Sequence, residues 1–275
     1  DGACRLYHST EPASVCTGPS FRTVVTMHDV IPLMFPDVYM RLPYLFWPLY
    51  YRWLDRADRW KQIDRVIAIS RATRTELERH LGIPPSKVTV VPNGIDHDQF
   101  RPVESEDRLR MVRERYDLPE RFVLYLGGDD FRKNVQVLVA ALPSAPDDVD
   151  LVLAGGISPS TRSQLSKRAD QLGVGERIVC PGYVDDADLA PLYAAAEVFA
   201  YPSLAEGFGL QILEAMAVGT AVVASDRSSL AEGRYRGTIT ISGYGLVSKT
   251  VDIWVTPEGG GEGEGEGEGE GEGEI

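Results

Sequence analysis

The sequence has 275 residues, 43% of them hydrophobic, and a formal net charge of −13, which is chain enough for two domains of ordinary size with proper cores. Eight of the acidic residues are glutamates of the tail from Glu258 to Glu274, and the rest of the chain shows no basic stripe that could neutralise phosphates along a duplex, which argues against nucleic acid as a partner. Cys4, Cys16 and Cys180 are scattered without C-x-x-C or metal-ligand spacing, which points to a reduced cytoplasmic compartment and no metal site.

The chain opens DGACRLYH, with neither initiator Met nor signal peptide, and reads as a fragment; no apolar run approaches a membrane span. Cys4 to His8 and Arg22 to His28 read as strands, the second ending in HDVIP. His28 stands where a parallel strand would end, and ligands bind outside such ends; the plain alternative is a ring satisfied by neighbouring backbone, with Asp29 capping a turn. Tyr44 to Trp60 mixes aromatics with Arg and Asp. Its ordinary reading is an amphipathic helix with an aromatic buried face; the alternative is an acceptor surface or a peripheral membrane contact, against which stands the lack of a strongly basic face. Arg65 to Ile69 is a strand, Ser70 an N-cap, Arg71 to Leu81 a helix closing at Gly82, and Lys87 to Val91 the next strand, turned by Pro92-Asn93-Gly94.

A charged helical stretch from Glu104 to Tyr116 marks the domain boundary. Phe122 to Leu126 opens a second sheet and runs into GGDDFRKN, where Arg132 and Lys133 are adjacent cations at a strand-to-helix loop, suited to a diphosphate. A helix through Val135 and Leu142, a strand Asp150 to Ala154, a helix from Pro159, the turn Pro181-Gly182-Tyr183-Val184 and a helix Asp185 to Ala195 follow. Then comes the stretch on which the rest turns, SLAEGFGLQILEAM from Ser203 to Met216. It reads as strand, glycine turn and helix start, with Leu210, Leu213, Met216 and Ala217 expected on the buried face. Its glycines allow close backbone approach, and the free amides of the first helical turn suit a phosphate. Glu206 and Glu214 bracket that turn, and each carboxylate can accept from a vicinal diol. The plain alternative is a solvated Glu206 and a helix-face Glu214. Ala221 to Ala224 is a last strand. Gly237 to Val255 alternates like a β-hairpin and gives way to a Gly-Glu tail that can bury nothing.

The run EGFGLQILEAMAVGTAVVAS resembles the E-x7-E signature of the retaining family-4 ("group 1") glycosyltransferases, and HDVIP, RVIAISRATRTELERHLGIPPSKVTVVPNGID and the Arg132-Lys133 pair resemble further segments of that family. The resemblance implies an α/β protein of GT-B type, two Rossmann-like domains facing across a cleft. It divides the chain into a partial N-terminal domain over 1–100 and a nucleotide-sugar-binding domain over 101–232, followed by a non-family segment 233–257 and the tail 258–275. It implies an enzyme moving a sugar, with mannose as the candidate because HDVIP-type motifs are common among mannosyl-transferring relatives, from a nucleoside-diphosphate sugar to a carbohydrate or lipid-linked acceptor hydroxyl, without metal or cofactor. It carries His28 and Glu206 over as the residues at the transferred sugar. Arg132, Lys133, Gly207, Phe208, Gly209 and Leu210 then hold the diphosphate, Glu214 the ribose, and Tyr183 and Val184 lie beside the base through backbone groups. Many relatives have one more arginine where this chain has Gly128 or Asp129. The first and last units of the family are not in the sequence, which keeps two alternatives open: a truncated remnant that at most binds a nucleotide, and a GT-B-type nucleotide-sugar epimerase. The implied location is cytoplasmic or at the inner membrane face, and the oligomeric state is left open.

Overall fold

The computed structural model describes residues 5–12, 15–39 and 61–231. The aromatic stretch Tyr44–Trp60, the hairpin expected over Gly237–Val255 and the Gly-Glu tail lie outside the described residues.

Two parallel sheets account for the architecture. The first holds β1 (Leu6–Ser9), β2 (Arg22–Met27), β3 (Arg65–Ala68) and β4 (Val88–Val90) in the order β1-β2-β3-β4. Two single-turn helices, α1 (Ile31–Met34) and α2 (Pro36–Tyr39), follow β2, and α3 (Arg71–Leu81) joins β3 to β4. Ser70 caps α3 as expected, its hydroxyl accepting from the Thr73 amide, and the helix closes at Gly82. Val25, Met27, Val66, Ala68, Leu77 and Val88 make one buried core from these elements.

The second sheet holds β5 (Phe122–Leu126), β6 (Asp150–Ala154), β7 (Ile178–Gly182), β8 (Val198–Tyr201) and β9 (Ala221–Ala224) in the order β7-β6-β5-β8-β9, all parallel. Its central strands are near-continuous apolar runs because both faces are covered. Side chains alternate between faces along a strand: Phe122, Leu124, Val152 and Ala154 join one core, while Tyr125, Leu151 and Leu153 join the other. Helices α4 (Glu106–Tyr116), α7 (Asp186–Ala195) and α8 (Leu210–Val218) cover the first face through Val112, Tyr193 and Ile212, among others. On the second face lie α5 (Gln136–Ala141) and α6 (Pro159–Gln171), through Val139 and Leu165.

One packing expectation needs correcting. The face of α8 that is buried carries Ile212, Ala215 and Val218, and Leu210, Leu213, Met216 and Ala217 are only partly covered. The helix is apolar nearly all round, so periodicity alone could not choose its face. Contact with α7, β8 and β9 together made the choice.

The strand order reverses between β5 and β8. In an open parallel sheet the connections leave in opposite directions at such a point and open a crevice at the carboxyl ends of the two strands. The loop after β5 carries Arg132 and Lys133, and the loop after β8 carries Glu206 and Gly207. Across from that crevice lie β2, α1 and α2: Ile31 and Tyr39 form a small core with Ala205, and Phe35 meets Phe131 edge-on at 5.8 Å.

Candidate functional site

Residues 131–133 form a tight turn, capped by Asp130, whose side chain accepts from the Arg132 amide. The turn sends Arg132 and Lys133 towards the β8 loop, where both meet one carboxylate. Arg132 Nη1 lies 2.6 Å from Glu206 Oε2 and Lys133 Nζ 2.7 Å from Oε1. Lys133 also donates to the Tyr201 hydroxyl at 2.9 Å. Glu206 and Lys133 are each only 8% exposed, so the trio is a buried ion network that needs every partner. Removing one member of such a network costs about 3–5 kcal/mol.

The charges shift accordingly. Burial pushes the Glu206 carboxyl up, but Lys133 and Arg132 outweigh it and hold the group below the usual carboxylate range. Burial pulls the Lys133 ammonium below its ordinary value in spite of Glu206. Asp29, facing the same crevice, is pushed up by burial against the Ile31 amide and the Arg132 charge.

The β8 loop is pinned from two sides. Ser228 and Ser229 both donate to the Glu206 carbonyl, at 2.9 and 2.8 Å, and Ser228 adopts a left-handed φ of 57° to do so. On the other side a Cβ at Gly207 would stand 2.2 Å from the His28 carbonyl oxygen, so this position must be glycine for the loop to touch the β2 end. Gly209 takes φ 96° just before α8, the conformation that turns the chain into the helix. The amides opening α8 at Leu210, which have no intrahelical acceptor, therefore lie one short loop from the two cations. Phe208 is half-buried.

Of the residues picked out in the sequence, the fold brings Arg132, Lys133, Glu206, Gly207 and His28 to one crevice. His28 is exposed, and its Nε2 donates to the Thr10 carbonyl at 3.1 Å. Glu214 lies one turn into α8 and turns to α7, accepting from the Tyr193 hydroxyl at 2.8 Å. Burial pushes its carboxyl up, with that hydrogen bond working against the rise. Tyr183 is 73% exposed just after β7, whereas Val184 is buried in the core.

Sequence reasoning missed Tyr39, Asp130, Thr73, Ser228 and Ser229. Tyr39 donates to Asp130, and the Thr73 hydroxyl reaches the His28 and Gly207 carbonyls. Only the DD pair beside Arg132 and the S-S pair before Leu230 marked any of these, as polar residues near a motif. Among the described residues, no group of His, Cys, Asp and Glu side chains could hold a metal ion, and no helix is long and apolar enough to cross a membrane.

Comparison with known proteins bears on family and fold. Residues 111–233 match the sequence profile described as glycosyl transferases group 1 and residues 5–99 that of glycosyltransferase family 4. The serotype-specific mannosyltransferase WbdA of Escherichia coli is 29% identical over 218 residues, 77% of this chain and 26% of that protein. The O-antigen chain mannosyltransferase B of Escherichia coli is 32% identical over 231 residues, 78% of this chain and 58% of the relative. The crystal structure of Anabaena Alr3699/HepE with UDP and glucose superposes with a TM-score of 0.65 at 24% identity, over 79% of this chain and 57% of that one, a likeness of fold. The chain thus spans between about a quarter and three-fifths of the length of these relatives.

Proposed function

Because this chain belongs to the group 1 glycosyltransferases, with two Rossmann-like domains of GT-B type, we propose that it transfers a sugar from a nucleoside-diphosphate sugar to an acceptor hydroxyl with retention of anomeric configuration. The observation that carries this reading is the convergence of Arg132, Lys133 and Glu206 at the crevice between β5 and β8, beside the start of α8.

Departure of the diphosphate builds negative charge on its oxygens while the sugar becomes oxocarbenium-like. Donors fixed in advance at that charge are usually the largest contribution to catalysis. Arg132, Lys133 and the amides from Gly207 to Leu210 supply them, so the reading needs no metal ion and no cofactor. Glu206 holds the sugar hydroxyls and Glu214 the ribose, with the base beside the backbone of Tyr183 and Val184. His28 lines the sugar pocket from the opposite domain. The acceptor hydroxyl attacks from the face the diphosphate leaves, which retains configuration without a covalent intermediate. Mannose is the proposed sugar: the relatives named for mannosyl transfer support it. The acceptor is a carbohydrate or a lipid-linked saccharide.

The test is thermal stabilisation by GDP and by UDP, followed by release of nucleoside diphosphate from GDP-mannose when a mannoside acceptor is present. A ligand at about 100 times its Kd adds about 2.7 kcal/mol, a readily measured shift. Neither stabilisation nor release would end the reading. Stabilisation without release with any sugar nucleotide would leave a nucleotide-binding chain without transfer.

A consequence concerns Glu214. Its carboxyl is held above the usual range by burial, so ionisation at neutral pH costs the folded state something the unfolded chain does not pay. Glu214→Gln therefore raises the melting temperature of the ligand-free chain at pH 7. The gain fades as the pH falls through the raised folded value and is gone only below the unfolded value of about 4.3, where the carboxyl is protonated in both states. The same substitution weakens nucleoside-diphosphate binding by roughly 1.5–3 kcal/mol, the scale of a lost charge-assisted hydrogen-bond pair. Melting curves at pH 7 and 5, with calorimetric titration, check both signs.

A further inference from the structure

The two loops of the crevice are joined by one hydroxyl that neither sequence motif contains. Thr73, in the first turn of α3, is 4% exposed, and its Oγ1 lies 3.3 Å from the His28 carbonyl and 3.3 Å from the Gly207 carbonyl. The hydrogen bonding around it is determinate. Ser70 Oγ accepts from the Thr73 amide at 3.0 Å and donates its own proton to Thr73 Oγ1 at 2.9 Å. Thr73 is thus left with a single proton, and the two carbonyls, one from each domain, share it. The Gly207 carbonyl is positioned from behind, because the preceding carbonyl, that of Glu206, accepts from both Ser228 and Ser229.

The geometry points to Thr73 as a positioning residue that sets the closed distance between the loop bearing His28 and the loop bearing Glu206. This rests on the transferase reading above, in which the sugar lies between those two loops. When the cleft opens, the Thr73 proton stays on the His28 carbonyl and water reaches the Gly207 carbonyl, so nothing is left unsatisfied. On closing, the two carbonyls are screened from water and the shared proton serves both. Loss of the hydroxyl therefore penalises the closed form more than the open one, since a screened carbonyl without a donor is costly and a wetted one is not; the Ser70 hydroxyl, which loses its acceptor on the same helix, adds a cost common to both forms. Thr73 touches neither diphosphate nor sugar in this arrangement and acts through the backbone on either side.

The test compares the 275-residue chain with Thr73→Val, which keeps the shape and loses the proton, and Thr73→Ser, which keeps the proton. Amide hydrogen exchange is read over 204–210 and 28–31, with β5 and β6 as the internal control for the fold. Expected for Thr73→Val is exchange about tenfold faster in those two segments, with β5 and β6 unchanged and Thr73→Ser close to the parent. In transfer assays kcat falls by a similar factor while the affinity for GDP or UDP is kept. Unchanged exchange in Thr73→Val overturns the assignment. So does Thr73→Ser behaving like Thr73→Val, and so does faster exchange that extends to β5 and β6. The exchange readout needs no turnover. If the parent binds no nucleoside diphosphate and transfers nothing while the exchange pattern appears, the transferase reading fails and the positioning role of Thr73 stands.

Discussion

Glu206→Gln binds nucleoside diphosphate about tenfold more tightly than the parent chain and transfers sugar at least about 100-fold more slowly. The Glu206 carboxylate pairs with Arg132 and Lys133, the two cations proposed to hold the diphosphate, at 2.6 and 2.7 Å. An incoming diphosphate must compete for two charge-assisted hydrogen bonds, each worth about 1.5–3 kcal/mol. A neutral glutamine competes less. The same substitution removes the carboxylate proposed to orient the sugar, so affinity for the leaving group and rate of transfer move in opposite directions. A Glu206 that served only as scaffold would move them together.

Stability follows with a definite sign. The Glu206 carboxyl is held below its ordinary value by Lys133 and Arg132. A carboxyl with a depressed folded pKa contributes stability that is fully present above its unfolded value of about 4.3 and is lost as the pH falls through the folded value. Glu206→Gln therefore melts lower than the parent at pH 7, by up to about 3–5 kcal/mol because two buried cations lose their counter-charge, and the difference narrows in acid. Nucleoside diphosphate restores it, giving the variant a larger thermal shift with ligand than the parent. Calorimetric titration and melting curves across pH measure both; a weaker diphosphate affinity in the variant would mean that Glu206 assists the diphosphate rather than competing with it.

Gly207→Ala folds, keeps its nucleoside-diphosphate affinity, and loses transfer by about 100-fold or more. The added Cβ would stand 2.2 Å from the His28 carbonyl oxygen and 3.3 Å from Asp29 Cβ. Both obstacles, the nearest atoms to the added Cβ, belong to the opposite domain. The clash is with backbone, which cannot swing aside as a long side chain would, and the remedy available is to hold the two loops apart. Gly209→Ala is the control. There the strain is local, from φ 96° and a contact of 2.7 Å with Leu230, and it lowers melting temperature and diphosphate affinity together. Melting temperature, diphosphate titration and transfer rate on the two variants separate closure from local folding. Equal loss of affinity in both would show that the methyl at Gly207 displaces the phosphate-binding amides rather than blocking closure.

The elements of this protein were legible in its amino acids wherever local chemistry decided them. Ser70 and Gly82 bound α3 because a side-chain acceptor and a left-handed glycine are properties of single residues. Phe122–Leu126 and Asp150–Ala154 form strands because a doubly covered parallel strand must be apolar on both faces. The E-x7-E run and the Arg132-Lys133 pair were equally visible, since each lies within one loop or one loop and its helix.

What the tertiary structure alone decided is which of these pieces meet. Arg132 and Glu206 are 74 residues apart along the chain and share an ion pair only because the order of β5 and β8 brings their carboxyl ends together. The buried face of α8 was undecidable from a helix apolar on every side, until α7 and the sheet took the stripe of Ile212, Ala215 and Val218. For Thr73, Asp130 and the Ser228-Ser229 pair the sequence shows at most a polar residue near a motif and not its partner, because a hydroxyl or carboxyl bonding a distant carbonyl or phenol leaves no periodicity and no local pattern. Local propensity names the elements; long-range hydrogen bonds and charge pairing, which depend on distances that no short window of sequence contains, assemble them into a site.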